Sequence, residues 1–305
     1  MPSLEPPLPP PPLGPRHWPT WIGIALLVAL ARLPWPLQRV LGRALGALLR
    51  ATLRTRRAIA SRNLELCFPQ LAPRERDALL RAHFAALGIG VFEFARAWWG
   101  SIAPLRDRVE LVGLEHLQAA HAAGNGVILI SGHFTTLEIC GRLLCDHLPL
   151  AGMYRPHAQP AMEWAVKRGR LRYAAAMFSK FELRPAVKHL KRGGILWYAP
   201  DQDPSRGDAV YVPFFGRPAH SLTSTHQLAR LSGAAVVTFA HRRRRDGGYA
   251  LTLSAPLADF PCNDATADTA RIMAAIADMA RAAPDQYLWI HRRFKRQPDG
   301  EQLYP

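Results

Sequence analysis

Between residues 109 and 294, short apolar runs alternate with stretches whose apolar positions recur every three or four residues. Residues 109–112, 127–130, 150–154, 195–199 and 234–241 read as strands. The second of these, Val127-Ile128-Leu129-Ile130, is apolar throughout, as in a strand buried on both faces. Helical spacing follows in 114–123, beyond His133, and in 160–176, 186–192, 221–232 and 265–281. Residues 210–215 form an apolar loop or strand. A basic turn at 242–248 leads into a hairpin return over 249–255, and 286–294 is a last strand. Strands alternating with helices predict an α/β domain with a mixed, largely parallel central sheet flanked by helices.

The first hundred residues have a different pattern. Residues 57–67 and 73–99 are helical in spacing, with Pro69 breaking between them and Pro73-Arg74-Glu75 suiting a first turn. Residues 18–33 are the most hydrophobic stretch, uncharged until Arg32. That length falls short of the ~20 residues of a full span. It therefore predicts an N-terminal hydrophobic membrane-anchoring helix, either single-pass with Arg32 snorkelling or lying in the interface. Arg32, Arg39, Arg43, Arg50, Arg54, Arg56 and Arg57 follow it, which places the bulk of the protein on the cytoplasmic side. Ahead of it, residues 1–16 carry eight prolines and read as a disordered or polyproline tail.

Composition narrows the chemistry. With 49% apolar residues the 305-residue chain has a substantial core. A formal net charge of +16 implies anionic partners: nucleic acid, anionic lipid or phosphorylated substrates. No nucleic-acid-binding signature accompanies the charge. The four cysteines, Cys67, Cys140, Cys145 and Cys262, form no C-x-x-C pair and suggest no zinc or redox site. No Gly-rich phosphate loop and no G-x-S-x-G nucleophile elbow is present.

The polar residues that follow apolar strands are the candidate chemistry. Ser131-Gly132 breaks the run 127–130, His133 follows, and Glu138 lies five residues on. At about 100° per residue the two do not share a helix face. They converge if His133 sits in the turn and Glu138 in the first helical turn, where a carboxylate fixes the imidazole tautomer and leaves the other nitrogen as a base. A helix cap with a dipole-favoured first-turn acid fits the same two residues. Asp201 and Asp203 follow residues 195–199, and Arg155 follows 150–154. If these strands share a sheet, these groups collect near His133 at one edge, where ligands bind in open α/β sheets.

Taken in order, several blocks resemble the lipid A biosynthesis acyltransferases, the lauroyl- and myristoyl-transferring branch of the glycerophosphate-acyltransferase-like superfamily. The blocks are Arg62-Asn63-Leu64 with Cys67-Phe68-Pro69, Ser131-Gly132-His133-Phe134 with Glu138, Tyr154-Arg155-Pro156, Arg170, Trp197 to Asp203, Val212 to Gly216, and His291 to Lys295. The resemblance spans roughly residues 17–297. It implies an acyltransferase domain over 54–297, an anchoring segment over 17–53, and tails at 1–16 and 298–305. It also implies His133 as general base, Glu138 as its orienting carboxylate, and Arg155, Arg170 and Asp201 as substrate-binding or supporting residues. The expected partners are acyl carrier protein, a lipid A precursor and anionic inner-membrane lipids, with no nucleic acid, no metal and no cofactor. The thioester donor is acyl-acyl carrier protein or acyl-coenzyme A. Another anionic glycolipid as acceptor, hydrolysis of the thioester by water, and membrane-attached nucleic-acid binding remain as alternatives.

Overall fold

The computed structural model describes residues 8–205 and 207–304. Four helices come first: α1 (Trp18–Leu30), α2 (Trp35–Thr52), α3 (Arg54–Cys67) and α4 (Pro73–Trp99). After the short α5 (Ala103–Arg106) come β1 (Val109–Val112), α6 (Leu114–Ala122), β2 (Val127–Ile130), α7 (Leu137–Leu144), β3 (Leu150–Tyr154) and α8 (Pro160–Arg170). The chain continues through β4 (Ala176–Ser179), α9 (Leu183–Lys191), β5 (Ile195–Tyr198), β6 (Ala209–Phe214) and β7 (Arg217–Leu222). It closes with α10 (Ser224–Ser232), β8 (Ala235–Arg243), β9 (Tyr249–Leu253) and α11 (Ala265–Ala282).

Seven strands form one sheet in the order β1-β9-β8-β2-β5-β3-β4. Every pairing in it is parallel except the β8–β9 hairpin. Central β2 is fully buried on both sides, which explains its unbroken apolar run. Its alternating side chains serve two cores. Ile128 and Ile130 pack with residues of α9, α10 and α11, including Leu190, Leu228 and Ile276. Val127 and Leu129 pack with residues of α2, α4, α6, α7 and α8, including Trp35, Ile89, Leu117 and Val166. Strands β6 and β7 form a separate antiparallel pair.

Helices α2 and α4 approach closely through glycines. A Cβ on Gly88 of α4 would lie 2.0 Å from the Gly42 carbonyl oxygen, and one on Gly46 2.2 Å from that of Phe84. The end of α4 is tied to the α1–α2 turn by buried Arg96, which donates to the Leu33 carbonyl and the Gln38 side chain. Helix α4 is apolar and long enough to cross a bilayer, but more than half of its apolar window is buried here. It acts as a core helix.

The structure corrects two sequence expectations and adds detail to two others. Helix α8 stops at Arg170, and residues 176–179 are strand β4 instead of helix. The alanine run 174–176 has helical propensity, but pairing with β3 prevails. Residues 286–294 form no sheet strand; Tyr287 makes one isolated bridge to Phe134. Alternating aromatics there mimic a strand while packing as a wedge. The described part of the proline-rich tail is held down: the Trp164 indole donates to the Pro9 carbonyl and the Trp21 indole to that of Pro12. Residues 1–7 of that tail lie outside the described residues. Finally, α1 has 13 residues, about 20 Å of helix at 1.5 Å per residue, too short to span ~30 Å of hydrocarbon.

Gly88→Ala is expected to destabilise the protein by about 1–3 kcal/mol through overpacking of the α2–α4 contact. A thermal melt checks this; an unchanged midpoint would show that the helices separate without cost.

Candidate active site

The register of two parallel strands builds the site. Ile130 of β2 pairs with Tyr198 of β5. His133 and Asp201 each lie three residues beyond that pair, so they emerge side by side at the carboxyl edge of the sheet. The Nδ1 of His133 is 2.6 Å from Asp201 Oδ1, and the His133 backbone N–H donates to Asp201 Oδ2 at 2.9 Å. Asp201 is buried, while the His133 side chain is 32% exposed. This leaves Nε2 as the ring nitrogen with no hydrogen-bond partner among the described residues.

The electrostatics follow from this contact. Burial by itself would raise the Asp201 pKa, but the charge and hydrogen bonds of His133, with a contribution from the Tyr287 hydroxyl, hold it well below the usual carboxylate range. Burial likewise disfavours charge on His133, yet the Asp201 carboxylate outweighs it and raises the imidazole pKa, with Arg170 pulling the other way. Asp201 is thus an ionised acceptor that fixes the proton of His133 on Nδ1 and makes Nε2 more basic.

The chain beyond residue 286 holds the histidine loop in place. The backbone N–H of Leu288 donates to the His133 carbonyl at 2.9 Å, and that of Thr135 to the Gln286 carbonyl at 2.8 Å. Behind this segment, buried Asn63 donates to the carbonyls of Trp289 and His291 at 2.6 and 2.7 Å. The Arg62-Asn63-Leu64 block therefore braces the loop from α3.

Glu138 does something else. It lies in the first turn of α7, as its spacing predicts, but it contacts neither ring nitrogen of His133. Helix α7 starts only at Leu137, and its first turn points toward α4 and α8. There the buried Glu138 carboxylate accepts from the Trp98 indole at 2.6 Å, the Tyr173 hydroxyl at 3.1 Å and the Arg170 guanidinium, including Nε at 3.0 Å. Burial opposes the Arg170 charge, but Glu138 overrides it and raises the Arg170 pKa. The expected His133–Glu138 contact is therefore replaced by two pairs, His133–Asp201 and Arg170–Glu138. Trp98 and Tyr173 carried no polar signal in the sequence, although Tyr173 lies one turn past Arg170.

The other candidates separate. Arg155 is exposed at the end of β3, on the same sheet edge but in no hydrogen bond with the pairs. Asp203 is bound by Arg296, whose Nη1 is 2.8 Å from Oδ1. Arg293 is buried and donates to the His220 carbonyl at 2.7 Å. In the basic turn, Arg243 is held by Glu93 in a bidentate pair with both contacts at 2.7 Å. Much of the expected headgroup-binding charge is thus used internally. A cavity of about 270 Å³ between α1, α4 and α8, lined by Trp21, Trp99, Trp164, Arg168 and Arg172 among others, does not include His133 or Asp201. Among the described residues no group of three or more His, Cys, Asp or Glu is placed to hold a metal ion.

Known proteins are similar in sequence to this chain over nearly its whole length. The family model for bacterial lipid A biosynthesis acyltransferases matches residues 10–296. A lipid A biosynthesis lauroyltransferase of Escherichia coli is 38% identical over 290 residues, covering 94% of this chain and 95% of that protein. A lipid A biosynthesis palmitoleoyltransferase of the same organism is 39% identical over 291 residues, with 95% of each chain covered. A myristoyltransferase of that pathway, also from Escherichia coli, is 24% identical over 294 residues, covering 94% and 90%. Carrying the His133 block, the Trp197 to Asp203 block and a sheet that sets them side by side, the chain belongs to the bacterial lipid A biosynthesis acyltransferase family and is an acyltransferase.

Proposed function

We propose that the enzyme moves a fatty acyl chain from acyl carrier protein to a hydroxyl of a lipid A precursor of the Kdo-lipid IVA type, with His133 as general base. The observation that carries this reading is the His133–Asp201 pair: a half-open imidazole whose inner nitrogen is held by a buried, ionised carboxylate. Nε2 takes the proton of the acceptor hydroxyl as its oxygen attacks the thioester carbonyl. The tetrahedral oxyanion collapses, the C–S bond breaks, and the thiolate takes the proton back from the imidazolium. Arg170, fixed by Glu138 and near enough to oppose charge on His133, supplies positive charge for the oxyanion or an acceptor phosphate. Asp201 is then the orienting carboxylate, and Glu138 positions Arg170. Acyl-coenzyme A offers the same thioester and is the alternative donor.

The N-terminal helices support attachment to the cytoplasmic side of the inner membrane. Trp18, Ile22 and Leu26, spaced by four on α1, are exposed, with Ile22 at 70%. Leu37, Val40, Leu41 and Leu48 extend exposed apolar surface along α2. Arg32 and Arg43 lie beside it for anionic headgroups. A short apolar helix with its outer face unburied suits interfacial, monotopic binding.

Four outcomes are expected. His133→Ala lowers transfer by about 10²–10⁴-fold, the usual contribution of a positioned base, in a folded protein; transfer at the wild-type rate removes this mechanism. Asp201→Asn removes the charge that raises the His133 pKa while burial remains. The pKa of His133 falls, and the acidic limb of the pH–rate profile moves to lower pH as kcat drops. A limb that stays put would mean another group titrates. Ile22→Glu with Leu26→Glu is expected to release the protein from vesicles without loss of fold, and sedimentation with vesicles reads this directly. Mass spectrometry of lipid A from a deletion strain tests the acceptor: loss of one acyl chain is expected, and an unchanged acyl pattern would point to another glycolipid.

A further inference from the structure

We propose that the exposed face of α9, with the turn before it, is the docking surface for the acidic acyl carrier protein that presents the thioester. This rests on the acyl-transfer reading above and adds where the donor binds.

The surface is placed by strand register. Tyr154 of β3 pairs with Ser179 of β4, so Arg155 and Lys180 emerge together at the carboxyl edge of the sheet, the edge that carries His133. The Lys180 backbone N–H donates to the Tyr154 carbonyl at 2.8 Å and fixes the turn. Phe181 follows and is 76% exposed, with the Lys180 ammonium 5.0 Å from its ring centroid. On α9, Arg184, Lys188 and Lys191 are exposed at i, i+4 and i+7, while Ala186 and Leu190 are buried on the opposite side. None of these five cations meets a carboxylate among the described residues. Arg170, Arg243, Arg244 and Arg296, by contrast, are each paired with a carboxylate.

Such a stripe, with one aromatic at its head, is complementary to an acidic helical protein. Its position argues against a lipid surface. Helix α9 packs on the sheet face lined by Ile128 and Leu196, whereas α8 and the start of α2 pack on the face lined by Val127 and Leu129. The basic stripe thus lies across the sheet from the exposed apolar side chains of α1. The geometry also suits delivery. β4 is three strand spacings from β2, roughly 14 Å at about 4.8 Å per strand, a gap for a flexible thioester arm to cross along the edge to His133.

The test is steady-state transfer from dodecanoyl-acyl carrier protein by Arg184→Glu/Lys188→Glu and, separately, by Phe181→Ser, with circular dichroism melts to verify folding. The expected result is a KM for the carrier protein raised tenfold or more, with kcat at saturating donor, KM for the lipid acceptor and binding to phosphatidylglycerol vesicles unchanged. An unchanged donor KM overturns the proposal. Loss of vesicle binding with an unchanged donor KM overturns it too, and assigns the stripe to the membrane. If the wild-type enzyme itself takes no acyl group from the carrier protein, the donor reading fails and the docking surface falls with it.

Discussion

The pairing of Ile130 with Tyr198 is the constraint on which the site depends. Two parallel strands in fixed register bring their first polar residues out at equal heights. An equal offset of three then puts an imidazole against a carboxylate without any long-range loop folding. A slip of one residue in either strand would turn every apolar side chain of that strand to the wrong core. The alternation of Ile128 and Ile130 with Val127 and Leu129 between two cores therefore protects the His133–Asp201 distance. The site inherits its precision from hydrophobic packing.

The second buried pair is held differently. Glu138 gathers a guanidinium, an indole N–H and a phenol O–H, and all its partners come from α4, α8 and the residues just after α8. Charges taken out of water repay their desolvation only with close geometry and full hydrogen bonding, and even then add little net stability. Such a cluster is better understood as fixing one guanidinium in one orientation. Gly169 belongs to the same arrangement, since a Cβ there would lie 2.7 Å from the Trp98 side chain. The glycine lets α8 approach α4 closely enough for Arg170 to reach Glu138.

The kind of sheet, mixed and largely parallel, was legible because most of its strands are short apolar runs between helical patterns, and the strand ends set His133 and Asp201 at one sheet edge. The partner of His133 was harder to read. Spacing along one segment favoured Glu138, five residues away, over Asp201, sixty-eight residues away and brought near only by the β2–β5 pairing. Glu138 could be placed in its helical turn, but not the direction that turn faces, which depends on where α4 and α8 pack. Residues 286–294 were misread because Tyr287-Leu288-Trp289-Ile290 is a short apolar and aromatic run of the kind found in strands. Their backbone instead braces the histidine loop through Leu288 and Gln286. In the proline-rich stretch, the contacts of the Pro9 and Pro12 carbonyls with two indoles had no signal in the sequence, because a backbone carbonyl does not show what it accepts.

Net charge was the least specific guide, and the structure shows why. A formal +16 invites a single anionic partner. Yet Arg96, Arg170, Arg243 and Arg293 are spent inside, on carbonyls and carboxylates that would otherwise be buried unsatisfied. What remains outside is divided by the sheet. The exposed apolar residues of α1, with Arg32 and Arg43 beside them, lie toward one face, and the cations of α9 that meet no carboxylate among the described residues lie on the other. An acyltransferase joins a lipid acceptor to a donor carried through water, so it gains from two surfaces of different chemistry that meet only at one edge. That edge is where the carboxyl ends of β2, β5, β3 and β4 converge, with His133 and Asp201 at its centre.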